Sequence, residues 1–156
     1  MKSILSVILI LSTLNVYADA IFPAGCQPVV VSEETVMLKS PKPAVVLIHN
    51  LSQSELWITH PIAEPSASAG WTSRIQGGNW SALALQDKSF EISCIESKPG
   101  HEQQVPCAGV LAVCQWEIKS TPANETGTYW AGEDMALPAL TAQIGQRGLV
   151  LTAPAQ

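Results

Sequence analysis

The feature that most constrains the fold is the regular interruption of the chain by turn-forming residues after position 20. Pro, Gly, Asn and Ser recur at intervals of about ten residues, and the segments between them are short and rich in Val, Ile, Leu and Trp. This spacing is typical of an all-β sandwich rather than of a helical protein. We therefore predict a single antiparallel β-sandwich, Ig-like or cupredoxin-like, over residues 21–156.

The strand predictions rest on runs and alternations of apolar residues. Residues 44–49 are continuously apolar apart from the terminal His, which predicts a strand buried on both faces. Residues 55–60 alternate, with Leu56 and Ile58 on one side and Trp57 on the other, and the short turn between the two segments predicts a β-hairpin. The other predicted strands are 28–31, 35–38, 71–75, 80–85, 90–94, 109–117, 128–131 and 149–151, and a short helix is predicted at 134–144.

The first 20 residues have the pattern of a secretory signal peptide. Lys2 precedes a run at 4–11 that is apolar except for Ser6, and Ala18-Asp19-Ala20 supplies the small-x-small site that signal peptidase reads. The apolar run is shorter than the roughly 20 residues of a permanent transmembrane helix. We predict cleavage after Ala20, with cleavage after Ala18 or retention as a short anchor as alternatives. The mature protein is then periplasmic or secreted.

Four cysteines remain in the mature chain, and export decides how they are interpreted. An even number of cysteines in an oxidising compartment favours two disulfides over free thiols or metal ligands. All three pairings are open from sequence. The one preferred here joins Cys94 to Cys107 across a polar loop at 95–106, and Cys26 to Cys114, which ties the first strand to the sheet.

A competing processing signal surrounds Cys26. Ala24-Gly25-Cys26 resembles the end of a lipoprotein site, where a lipid is attached to the cysteine. Pro23 stands where a branched aliphatic residue is usual, and Asp19 interrupts the approach from the apolar run. Lipidation at Cys26 is therefore the less favoured alternative.

Charge and motifs argue against several function classes. The net charge is −5 with no long run of one sign, which argues against nucleic acid and anionic lipid as partners. The mature chain has no apolar stretch long enough to cross a membrane. It has no phosphate loop, GxSxG elbow or HExxH motif, so we predict no catalytic residue, no cofactor and no enzymatic activity. A periplasmic copper carrier or an enzyme on a cupredoxin-like sandwich is the alternative, although Cys94 and His101 lack the nearby Met of a blue-copper site.

The tryptophans supply the candidate binding site. The chain has five Trp but only two Phe and two Tyr, and Trp71 and Trp80 bracket the polar segment WTSRIQGGNW. Aromatic faces beside Arg and Asn side chains suit a peptide or carbohydrate groove. We predict a binding surface formed by Trp71, Arg74, Asn79 and Trp80, with His101 beside it.

The stretch from position 49 to position 116 also carries a family resemblance. HNLSQSELWITHP, PSASAGWTSRIQGGNWSALAL and FEISCIESKPGHEQQVPCAGVLAVCQW resemble the enhanced entry protein family, member B (EnhB), of intracellular gamma-proteobacteria. The resemblance implies a role in bacterial entry into host cells or intracellular growth. It also implies an envelope partner, such as a Sel1-type repeat protein, or a host surface component. It implies no catalytic residues.

Overall fold

Short β-strands make up most of the described residues, which are 22–59, 72–85, 89–118 and 129–149 of a computed structural model. The strands are β1 (Gln27–Pro28), β2 (Thr35–Lys39), β3 (Ala44–Asn50), β4 (Glu55–Thr59), β5 (Thr72–Ile75), β6 (Trp80–Leu85), β7 (Ser89–Lys98), β8 (His101–Val105), β9 (Leu111–Glu117) and β10 (Tyr129–Met135). One helix, α1 (Leu137–Gln146), follows β10. The predicted all-β fold with a short helix near the C-terminus is therefore confirmed. The signal peptide and most of the strand predicted at 149–151 lie outside the described residues.

The strands form two antiparallel sheets that pack face to face. Sheet A has the strand order β1-β9-β3-β6-β10, and sheet B has the order β2-β7-β4-β5, with β8 also paired to β7. Aliphatic side chains from the inner faces form the core between them, among them Ile48 and Leu83 of sheet A and Leu56 and Ile92 of sheet B. All four of these side chains are fully buried, so burial of apolar surface between the sheets is the main stabilising contribution.

Sheet A has a second apolar layer on its outer face, where α1 packs. Leu140 and Ile144, one helical turn apart, are fully buried in a cluster with Val45 and Leu47 of β3. The helix starts with Pro138 in its first turn, where the missing N–H has no intrahelical partner to lose. Both faces of sheet A are thus covered, which explains why every residue of β6 is buried.

The predicted hairpin at 44–60 is wrong, because β3 belongs to sheet A and β4 to sheet B. The connection is an arch organised by Asn50, which is fully buried. Its Nδ2 donates to the carbonyls of Ser54 and Ile75, each at 2.8 Å, and its Oδ1 accepts from the backbone N–H and hydroxyl of Ser52 at 2.9 and 2.7 Å. These bonds turn the chain from one sheet to the other instead of folding it back in the same sheet.

The polar loop predicted at 95–106 is also wrong. Its first part continues β7, and its second part is β8, so the segment is a β-hairpin in which Lys98 pairs with His101. Pro99 and Gly100 form the turn, and Gly100 has a φ of 81°, which suits the third position of a type II turn. Glu96 bonds Lys98 Nζ at 2.9 Å. This bond, together with one from Ser54, lowers the pKa of the Glu96 carboxyl.

Two disulfides connect the strands, in the pairing preferred from the sequence. Cys26 bonds Cys114 and attaches the segment beside β1 to β9, while Cys94 bonds Cys107 at the base of the β7–β8 hairpin. The first bond uses the Sγ atom that lipidation of Cys26 would need. Disulfides are typical of proteins outside the reducing cytoplasm. In the part of the chain that the structure describes, no helix has the length and apolar character to cross a membrane.

Candidate functional site

The residues predicted to form one binding surface lie in different parts of the structure. Arg74 is exposed on β5 of sheet B, whereas Trp80 begins β6 of sheet A. His101 is exposed at the start of β8, and β4 and β7 lie between β8 and β5. Asn79 is half-buried in the connection between β5 and β6, where its Nδ2 donates to Asp134 Oδ1 at 2.9 Å. Trp71 lies outside the described residues.

Trp80, predicted as a surface binding residue, is instead a core residue that is only 6% exposed. The imidazole of His49 stacks on its ring, with the ring centroids 4.1 Å apart and the planes within 5°. Phe22 meets it edge-on at 6.2 Å. The prediction failed because the outer face of sheet A, which would be solvent-exposed in a two-layer sandwich, is covered by α1 and the segment before β1.

His49 illustrates the same burial. Its Nε2 lies 3.2 Å from the carbonyl oxygen of Gly78, and its Nδ1 is buried without a hydrogen-bond partner among the residues that the structure describes. Burial lowers the pKa of this imidazole from the ordinary value of 6.5, although the bond to Gly78 acts in the opposite direction. Burial thus favours the neutral form of the His49 ring.

The outer face of sheet B offers a different candidate site, centred on Trp57. Trp57 lies opposite Arg74 of β5 on one side and opposite Ile95 of β7 on the other, so the three side chains share one face of the sheet. The guanidinium carbon of Arg74 lies 4.5 Å from the centroid of the Trp57 ring, a cation–π contact. We call Glu55, Trp57, Arg74, Gln76 and Ile95 the Trp57 face.

Hydrogen bonds within the Trp57 face hold its aromatic ring in place. Trp57 Nε1 donates to Glu55 Oε1 at 2.8 Å, and Gln76 Nε2 donates to Glu55 Oε2. Each carboxylate oxygen of Glu55 therefore accepts a hydrogen bond from within the Trp57 face. Among the described residues, no carboxylate forms an ion pair with Arg74. The contact with the ring restricts the guanidinium, whose N–H groups can donate to a planar acceptor such as a carboxylate.

The surroundings of the Trp57 face differ from those of the opposite side of the molecule. Sheet A is covered by α1, whereas no described helix packs on the outer face of sheet B. Trp57 and Ile95 are half-buried, Arg74 is exposed, and Met37 on β2 of the same sheet is 40% exposed. Trp, Met and Arg are the residue types enriched at the centres of protein–protein interfaces.

The cysteines and His49 have structural roles in the described chain, although Cys and His often supply nucleophiles and metal ligands in other proteins. All four cysteines are in disulfides. His49 is stacked on Trp80, and His101 is exposed on the β7–β8 hairpin. The residues that the structure describes contain no group of three or more His, Cys, Asp or Glu side chains close enough to hold a metal ion.

Comparisons with protein-family models, with curated proteins and with solved structures give no significant match. The resemblance to the enhanced entry family therefore stays an expectation from the sequence.

Trp57 was not among the predicted binding residues, although the sequence contains a signal for its position on the outer face. The alternation in 55–60 already placed Leu56 and Ile58 on one side of the strand, and two large aliphatic residues mark the core side. Trp57 must then point away from the core. A tryptophan that alternation assigns to the outer face is a stronger indication of a binding surface than a tryptophan beside glycines.

Proposed function

We propose that this protein is an exported, non-catalytic binding protein that uses the Trp57 face to hold an acidic segment of a protein in the bacterial envelope. The observation that carries the proposal is the contact of Arg74 with Trp57, 4.5 Å from guanidinium carbon to ring centroid, on a sheet face that no described helix covers. The setting comes from the resemblance to the enhanced entry family. Through this partner, for example a Sel1-type repeat protein, the protein promotes entry into host cells or intracellular growth from the periplasm.

Physical chemistry supports a protein partner with a carboxylate. A guanidinium already held on an aromatic ring loses less conformational freedom on binding, and its planar fork matches a carboxylate with two parallel hydrogen bonds. Trp57 and Ile95 supply apolar contact area beside it. This combination of an aromatic anchor and an Arg is characteristic of binding hot spots.

The copper-carrier alternative has no support from this geometry. A blue-copper centre needs a cysteine thiolate, and the sulfur atoms of Cys94 and Cys114 are both bonded to other cysteines. Two pairs of cysteines instead stabilise the sandwich, which is the use expected in an exported binding domain.

Site-specific cross-linking in the native bacterium tests the proposal. A photoreactive residue at position 95, beside Trp57, is compared with one at position 27, which lies on the edge of sheet A. We expect an envelope protein to be cross-linked from position 95 only. If position 95 captures a partner only when host cells are present, the partner of the Trp57 face is a host surface protein rather than an envelope protein. Capture from position 27 alone would contradict it.

Affinities of variants for the purified partner then test the residues. We expect Trp57→Ala and Arg74→Ala to weaken binding by roughly 10-fold or more, as hot-spot substitutions do. Arg74→Lys should also weaken binding, since lysine lacks the planar fork. Lys39→Ala is the matched control, because it removes the same charge from an exposed position on β2 of the same sheet. Equal affinities for the Arg74→Ala and Lys39→Ala variants would refute the assignment, provided that both proteins unfold at the same denaturant concentration as the parent.

A further inference from the structure

The β7–β8 hairpin presents an open sheet edge on the side of β8 that faces away from β7. The four residues from His101 to Gln104 are all exposed, and Val105 is half-buried. No described strand pairs with this side of β8. The disulfide between Cys94 and Cys107 closes the base of the hairpin, so the edge is held in an extended conformation even without a neighbour.

The register of the hairpin identifies which backbone groups face outward. Its turn has two residues, so Lys98 and His101 form the hydrogen-bonded pair that closes it. Hydrogen-bonded and non-hydrogen-bonded pairs alternate along an antiparallel ladder. The backbone N–H and C=O groups of Glu102 and Gln104 therefore point away from β7, towards the open edge.

This edge lacks most of the devices that usually prevent strand pairing. Proteins protect edges with charged side chains, above all lysines, and with prolines, bulges or very short strands. Among the other edge strands described, β1 has two residues, β10 has register shifts against β6, β2 ends in Lys39, and β5 has four residues and carries Arg74. By contrast, β8 has five residues, HEQQV, whose one acidic side chain is Glu102 and which include no Lys or Pro, and its pairing with β7 has no register shift.

We propose that two copies of this protein associate by antiparallel pairing of their β8 strands about a two-fold axis at Gln103. In this register Glu102 of each copy lies opposite Gln104 of the other, and the two residues exchange both of their outward backbone hydrogen bonds. The two Gln103 side chains meet at the axis as a neutral pair. The outer faces of the two B sheets then form one continuous surface that carries both Trp57 faces.

Charge complementarity selects a second copy as the occupant of the edge. The Gln103-centred register places no two like charges directly opposite each other, since Glu102 faces a neutral Gln104. The same register places the hairpin turn of one copy, which follows Lys98, alongside residues 106–108 of the other copy. The backbone N–H groups of Cys107 and Ala108 lie against the carbonyls of Glu34 and Glu33, so that turn approaches two exposed acidic residues. The association is isologous and closes as a dimer.

Substitutions of opposite charge at position 104 test the register of the dimer. A purely structural role for Gln104 would not make the two substitutions act in opposite directions. Gln104→Lys places a cation opposite Glu102 of the other copy, and Gln104→Glu places an anion there. Each dimer contains two such pairs, so we expect Gln104→Lys to tighten and Gln104→Glu to weaken dimerisation, each by roughly 2- to 30-fold. Sedimentation velocity of protein purified from the periplasm, over about 10 µM to 1 mM, covers the range of weak dimers.

A backbone variant tests the strand pairing itself. Gln104→Pro removes only an outward N–H, which an edge strand tolerates, so the hairpin ladder to β7 is retained. We expect it to weaken dimerisation by roughly 5- to 100-fold, whereas Gln104→Ala, which keeps the N–H, leaves the dimer largely intact. Equal denaturation midpoints for the two variants show that folding is unchanged.

Three results would overturn the proposal. These are a monomer at every concentration, the same direction of change for Gln104→Lys and Gln104→Glu, or equal dimerisation by the Pro and Ala variants. Cross-linking of an envelope protein from position 95 bears on the proposed function alone and does not depend on any of these results.

Discussion

The buried side chain of Asn50 leads to a prediction of stability whose size follows from its hydrogen bonds. Asn50→Asp keeps the size of the side chain and one oxygen acceptor for Ser52, but it replaces the Nδ2 donor by an oxygen that faces the carbonyls of Ser54 and Ile75. Two buried hydrogen bonds at about 1 kcal/mol each are lost, and a buried carboxylate without a cation is created at a further cost of several kcal/mol. We expect the free energy of unfolding to fall by about 4 kcal/mol in total.

Urea denaturation followed by tryptophan fluorescence measures this change. The midpoint should shift strongly at an unchanged m-value, because the surface exposed on unfolding is the same. Ser52→Ala is the control: it removes the hydroxyl that donates to Asn50 Oδ1 at 2.7 Å and leaves the two carbonyl contacts in place, so about 1 kcal/mol is expected. A loss of 1 kcal/mol or less for Asn50→Asp would show that the arch does not depend on the Asn50 donors, and our account of the switch between sheets would be wrong.

Three further predictions concern the rest of the sandwich. Gly77→Ala should destabilise the protein by about 1–3 kcal/mol in urea denaturation, because a Cβ at position 77 would lie 2.8 Å from the carbonyl oxygen of Ser52. Removing the Cys26–Cys114 bond by paired alanines should lower the free energy of unfolding by roughly 1–2 kcal/mol more than removing the Cys94–Cys107 bond, because their sequence separations are 88 and 13 residues. The lowered pKa of His49 predicts stability that is complete above pH 6.5 and declines as the pH falls below that value. His49→Gln should reduce the change in the urea denaturation midpoint between pH 7.5 and pH 5 relative to the parent. An unchanged pH dependence of the midpoint would contradict the burial argument.

The sequence was most informative where apolar residues alternate or run together. The alternation of 55–60 correctly grouped Leu56 and Ile58 on one side of the strand, which is the buried side, and the continuous run at 44–49 correctly indicated a central strand. The sequence was misleading about how these two strands connect, because a short polar connection is compatible with an arch between two sheets as well as with a hairpin within one sheet. The distinction depends on Asn50, whose buried hydrogen bonds reach Ile75, a residue distant in sequence.

The other misinterpretations have equally local causes. The strand β8 has no apolar alternation, since its side chains are exposed, and hydrophobic periodicity therefore does not detect it. Trp80 was assigned to the surface because its neighbours are Gly and Asn. Only the packing of α1 and Phe22 shows that this side of sheet A is covered.

The nested order of the disulfides has a consequence for how the protein is made. If the protein is exported as proposed, Cys26 leaves the export channel first, but its partner Cys114 is the last of the four, and the Cys94–Cys107 pair lies between them. An oxidase that joins cysteines in the order of their appearance would link Cys26 to Cys94, a non-native bond. Native protein then requires either that Cys26 stays reduced until β9 has emerged, or that a thiol–disulfide isomerase exchanges the early bond. The yield of folded protein in the periplasm should therefore depend on isomerase activity as well as on the oxidant.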